Sequence, residues 1–305
     1  MVLRHTRGTI TWIDIESPTE AELTEVLHEF NIDPRIEDEI ISPTPYPLFI
    51  PFNEYLYLVL HFPTALAEGG TKNQEIDFIV GEHFIITGRY EVIDPIHNLH
   101  KVFEAEELLG LPKSEVKTHV LLERIFRRLY GALGNEVEDT ARRLERIEKD
   151  IFSGKEREQV RAISEVGRTL LRFETTLARH AEPLSAFIDE LSSTRFFGKG
   201  FNEHGFHIKA ERDHAVTLIT SYKAVATELR DTNDSLLSTS QNEVMKTLTV
   251  VTFIVFPLSL IAALFQMNIP GTPLSENPNA FWIILSIMIA VSSLLGWFVV
   301  KRKWL

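Results

Sequence analysis

The chain has no cysteine among its 305 residues, which excludes disulfides, thiolate nucleophiles and cysteine-ligated zinc. Basic residues are scarce relative to acidic ones, 31 Lys and Arg against 43 Asp and Glu, for a net charge of −12. Phosphate recognition needs basic clusters, so this balance argues against nucleic acid as a partner. An acidic surface of this kind serves solubility first and attracts cations second. The chain also lacks a P-loop, a nucleotide-binding glycine motif, an HExxH helix and a serine elbow, so no enzymatic reading has residues to stand on. The first dozen residues, MVLRHTRGTITW, lack the 7–15-residue apolar run of a signal peptide. Long apolar runs are missing everywhere except near the end.

There, two occur. Thr247 to Phe265 is a run of nineteen uncharged, mostly apolar residues, about 28 Å of helix against a bilayer core of roughly 30 Å. A second run, Ala280 to Val300, follows after the segment from Gln266 to Asn279. The pattern predicts about 240 water-facing residues tethered by a membrane hairpin. Lys246 precedes the first run, Lys301, Arg302 and Lys303 follow the second, and the connecting loop carries only Glu276. The positive-inside rule then expects both termini in the cytoplasm and the loop outside.

Upstream, Thr9–Ile15, Tyr55–Phe62, Glu75–Val80 and Phe84–Gly88 read as strands, the last two as a hairpin. Pro18–Phe30 reads as a helix with Leu23, Val26, Leu27 and Phe30 on one face. The proline-rich Ser42–Pro51 segment reads as a loop or an edge connection. An α/β domain over residues 1–110 is expected. Long charged helices follow over 111–206, as two antiparallel helices of about forty residues broken at Ser153-Gly154-Lys155. Phe196–Phe206 reads as a turn. The last long helix is expected to run from His207 through a 207–246 stalk into the 247–265 span. Ala215, Leu218, Tyr222, Val225, Leu229, Thr232, Leu236 and Thr239 recur along it at heptad spacing. The 266–279 loop, the 280–300 span and a 301–305 tail complete the chain.

The segment from Asn242 to Asn268 carries a family resemblance. Asn242, Met245, Lys246, Leu248, Thr249, Thr252, Phe256-Pro257-Leu258, Ile261-Ala262 and Met267-Asn268 stand in one register that resembles the CorA family of divalent-cation channels. The family's Gly-Met-Asn hallmark reads Gln266-Met267-Asn268 here. The resemblance implies a funnel-shaped homopentamer in a bacterial or archaeal inner membrane, with an α/β cytoplasmic domain, a helical stalk and two closing spans. It also implies Mg2+ as the transported or regulatory ion and no organic cofactor. Asn242, Met245, Leu248, Thr252, Phe256 and Ser259 would line the pore, with Gln266, Met267 and Asn268 as its filter.

The chemistry of these side chains suits that role. Mg2+ gives up its water reluctantly, so a pore for the hydrated ion needs hydrogen-bond acceptors rather than a carboxylate cage. Asn268 and Ser259 offer oxygens, and rings of Met245, Leu248 and Phe256 would stop conduction by dewetting. Gln266 cannot take a positive φ as cheaply as glycine, but it adds an amide of its own. Three functions stay open on these residues: Mg2+ conduction driven by membrane potential, transition-metal transport of the ZntB kind with possible proton coupling, and a non-conducting membrane scaffold.

The remaining candidates are few. His97-x-x-His100 and His204-x-x-His207, with His214 beyond, have metal-ligand spacing but no fixed carboxylate evident beside them. The acidic groups Glu136, Glu138, Asp139 and Glu145, Glu148, Asp150 read as solvated helix faces. No residue is assigned to a regulatory metal.

Overall fold

A computed structural model describes residues 1–65, 71–108, 117–193, 195–266 and 279–302. Strands β1 (Val2–Arg7) and β2 (Ile10–Glu16) form a hairpin around Gly8, whose φ of 62° suits a tight turn. Helices α1 (Glu20–Glu29) and α2 (Pro34–Ile41) follow, then β3 (Leu48–Pro51), β4 (Tyr55–Ala65), β5 (Thr71–Gly81) and β6 (Phe84–Arg89). The sheet order is β1-β2-β6-β5-β4-β3, antiparallel throughout except for the parallel β2–β6 pair. The α3 helix (Asp94–Leu108) leads to α4 (Thr118–Phe152), α5 (Glu156–Ala178) and α6 (Ala181–Leu191). After a 3-10 turn at Gly198–Phe201 come α7 (Asn202–Gln266) and α8 (Ala280–Lys301).

Strand alternation explains the layering. Odd-numbered Ile13, Ile15, Tyr57, Val59 and Ile79 face α1 and α2, whereas even-numbered Trp12, Leu56, Leu58, Leu60, Phe78 and Val80 face α3, α4, α6 and the start of α7. Both faces are covered, so the central strands carry apolar residues on both sides. The α1 helix is held at its start by a capping box between Thr19 and Glu22. At α2, Asp33 caps and Pro34 occupies the first turn.

Several expectations change on contact with the structure. The first residues form β1, a polar edge strand that lacks an apolar run to announce it. Within the proline-rich segment, Leu48–Pro51 pairs with Val59–Leu56 as the sheet edge. The second of the two expected long helices is in fact α5 and α6, separated at Arg179–His180. Pro183 has no N–H to bond the carbonyl four residues back, and His180 turns inward, where Tyr130 Oη and Nδ1 meet at 3.0 Å and Nε2 reaches the His61 carbonyl at 2.8 Å. The last helix begins at Asn202, five residues before the expected start, and within its first turn Gly205 packs closely against Ile188. Its buried seam is Ile208, Ala215, Ile219, Ala226 and Leu229. Of the heptad stripe, which suits either a bundle around a wet axis or a packing seam within the chain, Ala215 and Leu229 belong to this seam, and Val225 is exposed.

Two compact units result. Met1–Arg230 contains the sheet and its helices; Asp231–Leu305 contains the rest of α7 and α8. Both α7 and α8 are long and apolar enough to cross a membrane.

Candidate functional site: the apolar pair of helices and the titratable clusters

In the second unit, α7 and α8 meet through Phe253 and Phe298, whose rings lie 6.3 Å apart. Val250 and Val299 are its buried apolar side chains among the described residues. Along the span, Val250, Ile254, Pro257, Leu258 and Ile261 are the positions with reduced exposure. At about 100° per residue these five cluster on one side of the helix. Asn242, Met245, Leu248, Thr252, Phe256 and Ser259 fall in an arc of about 120° centred roughly 170° away from that side. All six are exposed in the single chain. Gln266, the last residue of α7, lies at the border of the same arc and is exposed. Met267 and Asn268 lie outside the described residues, as does Glu276.

The hydroxyls on this span have a defined orientation. Thr252 Oγ1 donates to the Leu248 carbonyl at 2.9 Å, and Thr249 and Thr247 donate in the same way to Met245 and Glu243. The hydroxyl proton is thereby committed to the backbone and the oxygen lone pairs remain as acceptors. Pro257 sits inside α7 and supplies no N–H. The face thus offers acceptor oxygen at Thr252, Ser259 and Asn242 and apolar surface at Met245, Leu248 and Phe256. No charged residue lies between Thr247 and Phe265. At the end of α8, Lys301 Nζ sits 4.7 Å from the Trp297 ring centroid, and Arg302 lies over Phe298. A cation beside an aromatic ring at the end of an apolar helix suits a membrane–water boundary.

The first unit contains the titratable clusters. His97 and His100 are not brought together. His100 is buried, with Nε2 at 2.9 Å from Asp14 and Nδ1 at 2.8 Å from His5. Asp14 also accepts from Arg89 and from Thr87 Oγ1. Burial alone would raise the Asp14 carboxyl, but the hydrogen bonds from His100 and Arg89 outweigh it and hold it below the usual carboxylate range. This network joins β2, β6 and α3.

His204 and His207 do find a carboxylate. Their Nδ1 atoms lie 2.5 Å and 2.9 Å from the two oxygens of Glu123 on α4. The partner is 81 residues distant in sequence, so spacing along the chain could not reveal it. His214 is exposed and apart. Among the described residues no group of three or more His, Asp or Glu has the arrangement to hold a metal ion. Of the acidic groups on α4, Asp139 pairs with Arg142, Asp150 with Lys155, and Glu138, Glu145 and Glu148 are exposed, as solvated faces are.

Comparison with known proteins adds to this geometry. Residues 7–302 match the family model described as CorA-like Mg2+ transporter protein. The chain is 22% identical to the cobalt/magnesium transport protein CorA of Methanocaldococcus jannaschii, over 97% of this chain and 92% of that protein. Identity to the protein of the same description from Thermotoga maritima is 21%, over 98% and 84%. The structure of the complete CorA magnesium transporter from Methanocaldococcus jannaschii superposes with a TM-score of 0.83 at 20% identity, covering 99% of this chain and 94% of that one.

Proposed function

This chain belongs to the CorA family of divalent-cation transporters, and on that footing we propose that it conducts Mg2+ through a homopentameric pore, driven by the membrane potential. The observation that carries the reading is the division of α7 in the span. One side packs on α8, and the opposite side presents Asn242, Met245, Leu248, Thr252, Phe256 and Ser259, all exposed among the described residues. Five copies around an axis would bring those faces together and leave α8 toward lipid.

The proposed pore treats the ion as a hydrated cargo. Stripping Mg2+ is costly, and among the described residues no group of three or more His, Asp or Glu could hold it, so the lining would accept hydrogen bonds from the ion's water. Thr252 is already set for that role, because its proton is spent on Leu248. Asn268 at the outer mouth, with Met267 and Gln266 beside it, would form the ring that first meets the hydrated ion. Met245, Leu248 and Phe256 would form apolar rings that close the path by dewetting. Lys301 and Arg302 at the end of α8 and Lys246 ahead of the span support cytoplasmic termini.

Flux into liposomes holding only this protein tests the reading, with Mg2+ and Zn2+ indicators run side by side at a set membrane potential. Mg2+ entry without ATP is expected, and Asn268→Ala should abolish it or remove its selectivity. Zn2+ entry alone would move the chain to transition-metal transport, a reading that Gln266 in place of glycine keeps in view. Silence for both ions from intact pentamers would replace conduction with a scaffold role.

A further inference from the structure

The geometry points to a proton-responsive clasp, formed by Glu123, His204 and His207, that fastens the first turns of α7 to α4. Its regulatory sense rests on the transport reading above; its existence does not. The clasp has three features that an ordinary surface ion pair lacks. The Glu123 side chain is only 12% exposed, and both of its oxygens are engaged by imidazoles one turn apart on the same helix. Both imidazoles use Nδ1, so the neutral rings already donate as Nδ1–H tautomers. Finally, α7 is the helix that runs on, without interruption, into the first apolar span.

Adding a proton to either ring keeps its hydrogen bond and converts it from neutral to charge-assisted, which roughly doubles its strength. Histidine is the side chain whose charge changes in the range cells use. The surrounding charges set how far this goes. From α4, Arg127 lies 3.8 Å from Glu123 and 3.2 Å from Glu211 of α7. Arg124 of α4 and Glu106 of α3 border the same open groove, whose volume is about 710 Å3. His119 of α4 has its ring 4.7 Å from that of His204. Burial, then His204 and Lys117, push the His119 pKa down. The turn before α7 contributes Phe197 against His119 and Phe201 against His204. With both rings neutral, Arg124, Arg127 and Arg128 of α4 balance Glu106, Glu123 and Glu211 around the groove. A proton on a clasp ring therefore acts through its own bond to Glu123, and acidification of the compartment bathing this unit tightens the hold on α7.

The test is hydrogen exchange of the full-length protein in detergent at pH 8.0 and 5.5, read over the segment 202–212 and corrected for the intrinsic pH dependence of exchange. About tenfold more protection at pH 5.5 is expected in the native chain. It should be absent in the His204→Gln, His207→Gln double variant and weakened in each single variant. Glu123→Gln should flatten the response while leaving the fold intact. Native protection independent of pH, or a double variant that keeps the full response, would overturn the clasp. Mg2+ flux measured in parallel separates the two ideas. A protein that clasps but carries no Mg2+ defeats the transport reading alone, and one that carries Mg2+ with pH-independent protection defeats the clasp alone.

Discussion

Met1–Arg230 and Asp231–Leu305 differ most in where their apolar side chains end. The first unit closes two cores, one on each face of its sheet, and engages buried charges such as Arg89 and Asp14 with each other. In the second, Leu248, Phe256, Leu260, Leu264, Trp282, Leu294 and Trp297 are each more than half exposed. A water-soluble fold cannot leave that much apolar surface bare. The first unit's stability is therefore internal, whereas the second unit's side chains suit an apolar surround rather than water. Substitutions should accordingly cost folding energy in one unit and transport in the other.

The strongest way to break that division is Asp14→Ala. It removes the buried carboxylate that joins Arg89 to His100 and leaves Arg89 to Glu16, and should lower unfolding free energy by about 3 kcal/mol. Denaturant unfolding of the detergent-solubilised protein measures this; a loss below about 1 kcal/mol would mean that the network is not a load on the fold.

Acid should act next. Burial lowers the His180 pKa from 6.5 to about 3. The unfolded state takes up a proton near the ordinary histidine value and the folded state does not, so this stabilisation is complete above about pH 6.5 and drains as pH falls toward 3. By pH 5 roughly 2 kcal/mol should be gone. His180→Gln should lack that slope, and an unchanged slope would point to other groups.

Thr19→Ala removes one half of the α1 capping box and should cost about 1 kcal/mol, visible as a small shift in the same unfolding curve. The smallest effect on stability belongs to Phe256→Ala, within about 0.5 kcal/mol because its side chain is 68% exposed. On the proposed pore reading, resting Mg2+ flux through that variant should nonetheless rise about tenfold, as the proposed apolar ring would open to water. A large stability loss with unchanged flux would place Phe256 in a packed interior instead.

The legible parts of the sequence were those with a local cause. Tyr55–Phe62 and Phe84–Gly88 declared themselves because both faces are apolar, and the two terminal runs because no charge interrupts them. The break before α6 had a local cause too, in Pro183, but charged helical periodicity on either side masked it. Edge strand β1 is polar on the side away from the core and gives little period-two contrast. The buried seam of α7 at Ile219 and Ala226 was not legible because several positions on that helix are apolar, and only its neighbours decide which are covered. Convergence of His204 and His207 on Glu123 is purely tertiary and has no signature along the chain.

The inward turn of His180 also bears on how this protein fails. Partner β3 ends opposite Val59, so β4 continues to Ala65 past the reach of its neighbour on that side. An open strand edge there would invite another chain to add on. Pro63 removes one donor from that stretch, and His180 occupies the His61 carbonyl. Protonating His180 favours conformations in which it has left this position, so acid would uncover a sticky seam before the sheet itself comes apart. Handling this transporter at low pH should then produce clumping ahead of unfolding, and the clumps should grow from one strand.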